Sequence, residues 1–332
     1  MKTMRNLFFV AFVSVAAMVV SCADKPGGSD KNSTSVTEAS GDNVSNVAAD
    51  EPGDSTSMDT DAFKNSKKKA LLIGVGNYPT YPNKEEAWDR ISSGNDINLL
   101  NGALNEVGFE VIRLTENKAT YQGIKNALKD LTAMCQEGDT VLVHFSGHGQ
   151  QMVDLEGDEP DGKAETFVPY DAKRVCSADA NGYRGQCHFT DDELHTFITT
   201  LKQKLGKSGY LLVTLDACHS GGDESGETTV RGTKDIFGKG ILERAKIKPR
   251  FIAGTVNNAV CVTLSACKFN ESNHEITKDG KSYGSLSFAM FEKLNEIKGG
   301  KLTFDKLAQK LVDDWSNENQ TPVIDKKDEN MQ

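Results

Sequence analysis

Residues 70–75 read Ala70-Leu71-Leu72-Ile73-Gly74-Val75, a run with no polar side chain. Such a run, without alternation, predicts a strand buried on both faces. Downstream the period changes: Ile97, Leu100, Leu104 and Val107 recur at helical spacing, and residues 109–114 return to strand character. Thr120 opens a helix carrying Ile124, Leu128, Leu131 and Met134. Residues 140–145 (Thr140-Val141-Leu142-Val143-His144-Phe145) read as a third strand, 210–215 as a fourth and 260–266 as a fifth. Thr190-Asp191-Asp192-Glu193 is a capping-box signal, followed by Leu194, Phe197, Ile198 and Leu201 on one face. Two further helices are expected over 286–297 and from Thr303, the second carrying Phe304, Leu307 and Leu311. Strands alternating with helices require crossover connections. The fold class is therefore α/β, a mostly parallel central sheet with helices on both faces.

In such sheets ligands bind beyond the carboxyl ends of the strands. Ser146-Gly147-His148-Gly149-Gln150 follows the third strand and Asp216-Ala217-Cys218-His219-Ser220-Gly221-Gly222 the fourth, so both land on one edge. A histidine and a cysteine placed there meet the needs of thiol catalysis. The thiolate attacks, and the imidazole takes its proton and returns it to the leaving amine. The glycines admit a substrate backbone and leave N–H groups free for an oxyanion.

Beyond this chemistry, the two stretches resemble the catalytic signatures of the caspase-like cysteine peptidases, metacaspases in particular. Residues 154–162 (Asp154-Leu155-Glu156-Gly157-Asp158-Glu159-Pro160-Asp161-Gly162) resemble the same family. So do Val168-Pro169-Tyr170-Asp171, Leu264-Ser265-Ala266-Cys267 and Gln320-Thr321-Pro322. The resemblance spans about residues 67–323 and implies a caspase-like α/β/α sandwich. It makes Cys218 the nucleophile, His148 the general base and acid, and the backbone N–H groups of Gly149 and Cys218 the oxyanion hole. It also implies an acidic pocket at Asp96 and Asp216, with Ser146 beside them, that binds Arg or Lys before the scissile bond. An acid is charge-complementary to arginine and pairs with it bidentately. Asp96 also reads as a helix N-cap. Ser93 stands where many metacaspases have Cys.

The resemblance further implies calcium as an activator, with Asp191 and Asp192 as two of its ligands; oxygen-rich acids suit a hard cation. The rest of that ligand set is open, because Lys163-Ala164 and Ser225 occupy places where acids are expected. The same two aspartates also suit a helix N-terminus through its dipole. The thiol chemistry itself needs no cofactor.

Residues 222–254 are polar and basic, with Arg231, Lys234, Lys239, Arg244, Lys246, Lys248 and Arg250. They read either as a gate that the enzyme itself cuts or as a solvated loop. Cys176 and Cys187 flank a Gly/Asn-rich loop and are candidates for a disulfide in an exported protein. Cys135, Cys261 and Cys267 read as core cysteines.

Lys2 and Arg5 precede an apolar run from Leu7 to Val20, and Val19-Val20-Ser21-Cys22 resembles a bacterial lipoprotein box. The expected organisation is a signal peptide (1–21), a lipidated Cys22 with a disordered tether (22–66), a peptidase domain (67–325) and a frayed tail (326–332). That places the protein in the cell envelope, held to the membrane through lipid and otherwise monomeric. The run is shorter than the ~20 residues of a membrane span. A net charge of −10 over 332 residues argues against nucleic acid as a partner. Two rival readings remain: a related cysteine peptidase of other specificity, and a caspase-fold binding module with little turnover. An acyl-enzyme also admits transfer to an amine instead of water.

Overall fold

The computed structural model describes residues 60–157, 159–218, 229–243, 258–268, 271–317 and 320–325. The expected signal, Cys22 and nearly all of the expected tether lie outside them. The chain opens with α1 (Thr60–Asn65), β1 (Lys68–Gly74), α2 (Ser93–Glu106), β2 (Glu110–Thr115), α3 (Tyr121–Met134) and β3 (Thr140–Ser146). Then come β4 (Gly149–Val153), β5 (Lys163–Phe167), β6 (Phe189–Thr190), α4 (Asp191–Leu205) and β7 (Tyr210–Asp216). The last part holds β8 (Val260–Ser265), β9 (Glu275–Lys278), β10 (Lys281–Gly284), α5 (Ser285–Lys298), α6 (Leu307–Asp313) and β11 (Val323–Asp325).

The central sheet has the order β2-β1-β3-β7-β8-β11. Its strands run parallel except β11, which pairs antiparallel with β8. Alternate side chains of each strand enter opposite cores. Leu71, Ile73, Val141, Val143, Leu211 and Val213 pack with Ile124, Leu128 and Leu131 of α3 and Leu194, Ile198 and Leu201 of α4. Ala70, Leu72, Leu142, Leu212 and Leu264 pack on the other face with residues of α2, α5 and α6. This is the expected α/β/α sandwich. Thr190 and Glu193 form the capping box that starts α4.

Some boundaries differ from expectation. The fold reaches back to α1, whose Phe63 is buried, because an aromatic in a polar stretch is enough to dock one turn of helix. The β9–β10 hairpin turns through Asp279 and Gly280, both at positive φ. Cys176 and Cys187 are both thiols, and no disulfide joins them.

Candidate active site

β3 and β7 are neighbours at the centre of the sheet, and their register pairs Ser146 with Asp216. His148 and Cys218 each lie two residues beyond that pair, on the same edge. His148 is buried, stacked on Trp88 with ring centroids 4.9 Å apart. Its Nε2 is 2.9 Å from the carbonyl oxygen of Asp89. A carbonyl only accepts, so Nε2 carries the hydrogen and the lone pair sits on Nδ1. Nδ1 is buried with no hydrogen-bond partner among the described residues. Burial pushes the imidazole down to about 4, outweighing the bond to Asp89, so the ring is a neutral base. Its backbone N–H donates to Tyr78 Oη at 3.0 Å, which fixes the turn.

The Cys218 thiol donates to the carbonyl oxygen of Glu271 at 2.9 Å. Cys267 Sγ lies 3.4 Å from the same oxygen. The Cys267 thiol is driven up by its bond with Cys218 and then by burial. Cys267, read from sequence as a core residue, therefore sits against the candidate nucleophile.

The backbone N–H groups of Gly149 and Cys218 converge on one acceptor, the carbonyl oxygen of Arg231, at 3.2 and 3.0 Å. The Arg231 side chain is fully buried. Its Nη1 lies 2.8 Å from Asp96 Oδ2, 2.8 Å from Ser146 Oγ and 3.8 Å from Asp216 Oδ1. Its Nη2 lies 2.9 Å from Glu275 Oε1. The three residues expected to line an acidic pocket thus share one arginine, which this chain supplies itself.

Further hydrogen bonds hold the pocket acids. Ser146 Oγ and the Gly284 N–H donate to Asp96, at 2.8 and 2.9 Å. Asn273 Nδ2 and the backbone N–H and Oγ of Ser287 donate to Asp216, at 2.7, 2.8 and 2.5 Å. Burial raises Asp96 to about 6 against the pull of Arg231. Burial acts the same way on Asp216, but Arg231, Asn273 and Ser287 outweigh it and hold that acid below its ordinary value. Gly284 forms one wall, where a Cβ would overlap Asp216 Oδ2 and come within 2.6 Å of Arg231 Nη1. Asp96 lies inside α2, whose N-cap is Ser92, so the N-cap reading of Asp96 does not hold.

The segment around Arg231 is extended and paired on both sides of the edge. Before Arg231, Val230 bridges His274 antiparallel; Arg231 N–H donates to Asn273 O at 3.0 Å and Glu275 N–H to Thr229 O at 2.9 Å. After it, Gly232 and Phe237 bridge Gly149 and Met152 of β4. Phe237 is buried against His188, ring centroids 4.5 Å apart. Of the stretch read as a gate or solvated loop, residues 229–243 are described, and Arg231 is its most buried side chain. Residues 219–228 and 244–257, with Ser225, lie outside the described residues.

Asp191 and Asp192 open α4. Asp191 Oδ1 is buried with no hydrogen-bond partner among the described residues. Burial, then the charges of Asp192, Glu165 and Glu159, pushes Asp191 up to about 7. A cation at Asp191 would relieve both its unpaired oxygen and this repulsion. Among the described residues, no group of three or more His, Cys, Asp or Glu side chains is placed to hold a metal ion. Asp158 lies outside them.

Sequence reasoning does not reach the roles of Arg231, Asn273 or Glu275. The Asp279-Gly280 pair is a hairpin signal that would have placed β9, and with it Glu275, beside the sheet edge.

A base with its lone pair free, a thiol and two converging N–H groups at one sheet edge are the equipment of a cysteine-dependent hydrolase. The model of the caspase domain, Peptidase C14, matches residues 67–328, and the chain belongs to this family of cysteine-type peptidases. It is 27% identical over 290 residues to metacaspase-1 of Mycosarcoma maydis, covering 74% of this chain and 67% of that protein. Over 267 residues it is 27% identical to metacaspase-1 of Schizosaccharomyces pombe, covering 68% of this chain and 59% of that one. The chain therefore spans about three fifths to two thirds of these relatives. Among solved structures, GSU0716 from Geobacter sulfurreducens has a similar fold, with TM-score 0.52 and 21% identity. That match covers 77% of this chain and 92% of the other.

Proposed function

We propose that this chain is an endopeptidase that cuts peptide bonds after basic residues through an acyl-enzyme on Cys218. One observation carries the reading. The chain's own Arg231 has its guanidinium among three acids and its carbonyl on the N–H groups of Gly149 and Cys218. That is how a basic residue before a scissile bond would lie in such a site. His148 Nδ1 takes the Cys218 proton, and the thiolate attacks the carbonyl carbon. The carbonyl oxygen becomes an oxyanion between the two N–H groups. The imidazolium then protonates the leaving amine, giving a thioester. Water, deprotonated by His148, hydrolyses the thioester to release the carboxylate.

On this reading the Arg231–Gly232 bond is itself a substrate, and self-processing there clears the site. Calcium acts as an activator near Asp191 and Asp192, where a hard cation would relieve their repulsion. The enzyme works outside the cytoplasm, tethered through lipid on Cys22, as a monomer.

The test uses the purified full chain, wild type and Cys218→Ala, with fluorogenic peptides ending in Arg, Lys, Asn or Asp. Each is assayed with EGTA and with millimolar calcium, and mass spectrometry follows the Arg231–Gly232 bond. Turnover of basic peptides by wild type alone is the expected result. Preference for Asn or Asp would overturn the specificity. No turnover and no self-cleavage would leave a binding module.

A further inference from the structure

We infer that Glu275 makes this site select arginine over lysine; the inference rests on the peptidase reading above and assigns a further specificity residue to it. The two terminal nitrogens of Arg231 are met from different directions. Nη1 faces Asp96 and Ser146, and Nη2 faces Glu275 at 2.9 Å. Asp96 comes from α2 and Glu275 from the start of β9, so the two carboxylates grip the two prongs of one planar fork. Glu275 is fixed: its side chain is 6% exposed, and the same Oε1 accepts from the Ser92 N–H at 2.6 Å. Its backbone N–H meanwhile holds Thr229 O, two residues before Arg231. One residue thus positions the substrate backbone and reads its basic side chain.

A lysine in the same place ends in one ammonium on a shorter reach. Set against Asp96 and Ser146, it leaves Glu275 without its cation. A buried carboxylate stripped of its partner is costly, whereas the guanidinium satisfies both acids at once. Discrimination is strongest where the wrong substrate leaves a buried polar group unpaired.

The experiment measures kcat/KM of the full-length wild type and Glu275→Gln on matched peptides ending in Arg or Lys. Wild type should prefer Arg by about thirtyfold or more. Glu275→Gln should lose about tenfold or more on Arg and less than about threefold on Lys, so the ratio collapses. Retained lysine turnover also reports an intact fold. A wild-type ratio within about threefold, or a ratio unmoved by Glu275→Gln, overturns the inference and leaves basic specificity standing.

If no peptide is turned over, the peptidase reading fails, and the chain's own arginine decides the pocket separately. Melting temperatures of wild type, Arg231→Lys, Glu275→Gln and the double variant form a cycle. Arg231→Lys should lower Tm clearly in the wild-type background. The loss should be much smaller in the Glu275→Gln background, where a neutral amide replaces the carboxylate. Equal losses in both backgrounds overturn the inference.

Discussion

The backbone N–H of Cys218 donates to the carbonyl oxygen of Arg231 at 3.0 Å. The candidate nucleophile and the residue filling the acidic pocket are therefore joined through the atoms that acyl transfer uses. The chain holds an extended piece of itself across the sheet edge, with Arg231 in the pocket and Phe237 anchoring the far end.

Removing the tenant tests this arrangement. Asp96, Asp216 and Glu275 are all buried, and Arg231 is the guanidinium they share. Arg231→Ala leaves them uncompensated and should lower stability by about 3–5 kcal/mol. Chemical denaturation measures the loss. Benzamidine, an amidinium that fits an emptied acidic pocket, should raise the Tm of Arg231→Ala more than that of wild type. An equal shift in both would mean the pocket does not open.

The two cysteines that share the Glu271 carbonyl should part company in activity. Cys218→Ala should abolish turnover while still melting in one cooperative transition. Cys267→Ala should keep turnover within about tenfold, since it deletes a thiol that bonds with the candidate nucleophile and shares its acceptor but is not the attacking group. Loss of activity in both would assign Cys267 a chemical role, and its retention in Cys218→Ala would remove Cys218 as nucleophile.

Asp191 gives a pH prediction with a definite sign. Its folded value, about 7, lies above the ordinary 3.8. Below pH 3.8 it is protonated in both states and contributes nothing. As pH rises toward 7 the unfolded chain ionises first, so the group increasingly opposes folding. In EGTA, Asp191→Asn should therefore raise Tm by about 3–6 °C at pH 8 and leave it unchanged near pH 4. Calcium should raise the wild-type Tm at pH 8 and not that of the variant. A calcium effect equal in both would place the ion elsewhere.

Much of the frame was legible because it rests on local pattern. Leu71, Leu72 and Ile73 announce a strand buried on both faces, and Thr190 with Glu193 announces a helix start. Adjacent strands then bring Ser146 and Asp216 together, and the residues two further on with them. The rest depends on pairing between distant and polar segments. Glu275 begins a strand of the sequence Glu275-Ile276-Thr277-Lys278, where no apolar alternation signals burial. Arg231 is one of several cations in its stretch. Its burial is decided by acids that lie up to 135 positions away in Asp96, and no local rule reads that distance. Cys267 looked like a core residue because it is one; only the fold shows which thiol it touches.

Gly232 offers a way to open the site without touching its acids. A Cβ at this position would overlap the carbonyl oxygen of Cys218, a backbone atom that cannot swing aside. Gly232→Val should therefore expel the strand on the far side of Arg231, while Asp96, Asp216 and Glu275 remain in place. Two consequences follow from one steric cause. The Arg231–Gly232 bond should no longer be cut, because a branched residue cannot occupy the position beyond it. Peptides added from outside, which bring only a small leaving group there, should be turned over from the start, without the lag expected of a wild type that must first cut itself. Stopped-assay progress curves and mass spectrometry of the variant check both. A variant that still lags, or that is still cut after Arg231, would mean that Gly232 does not hold the strand over Cys218.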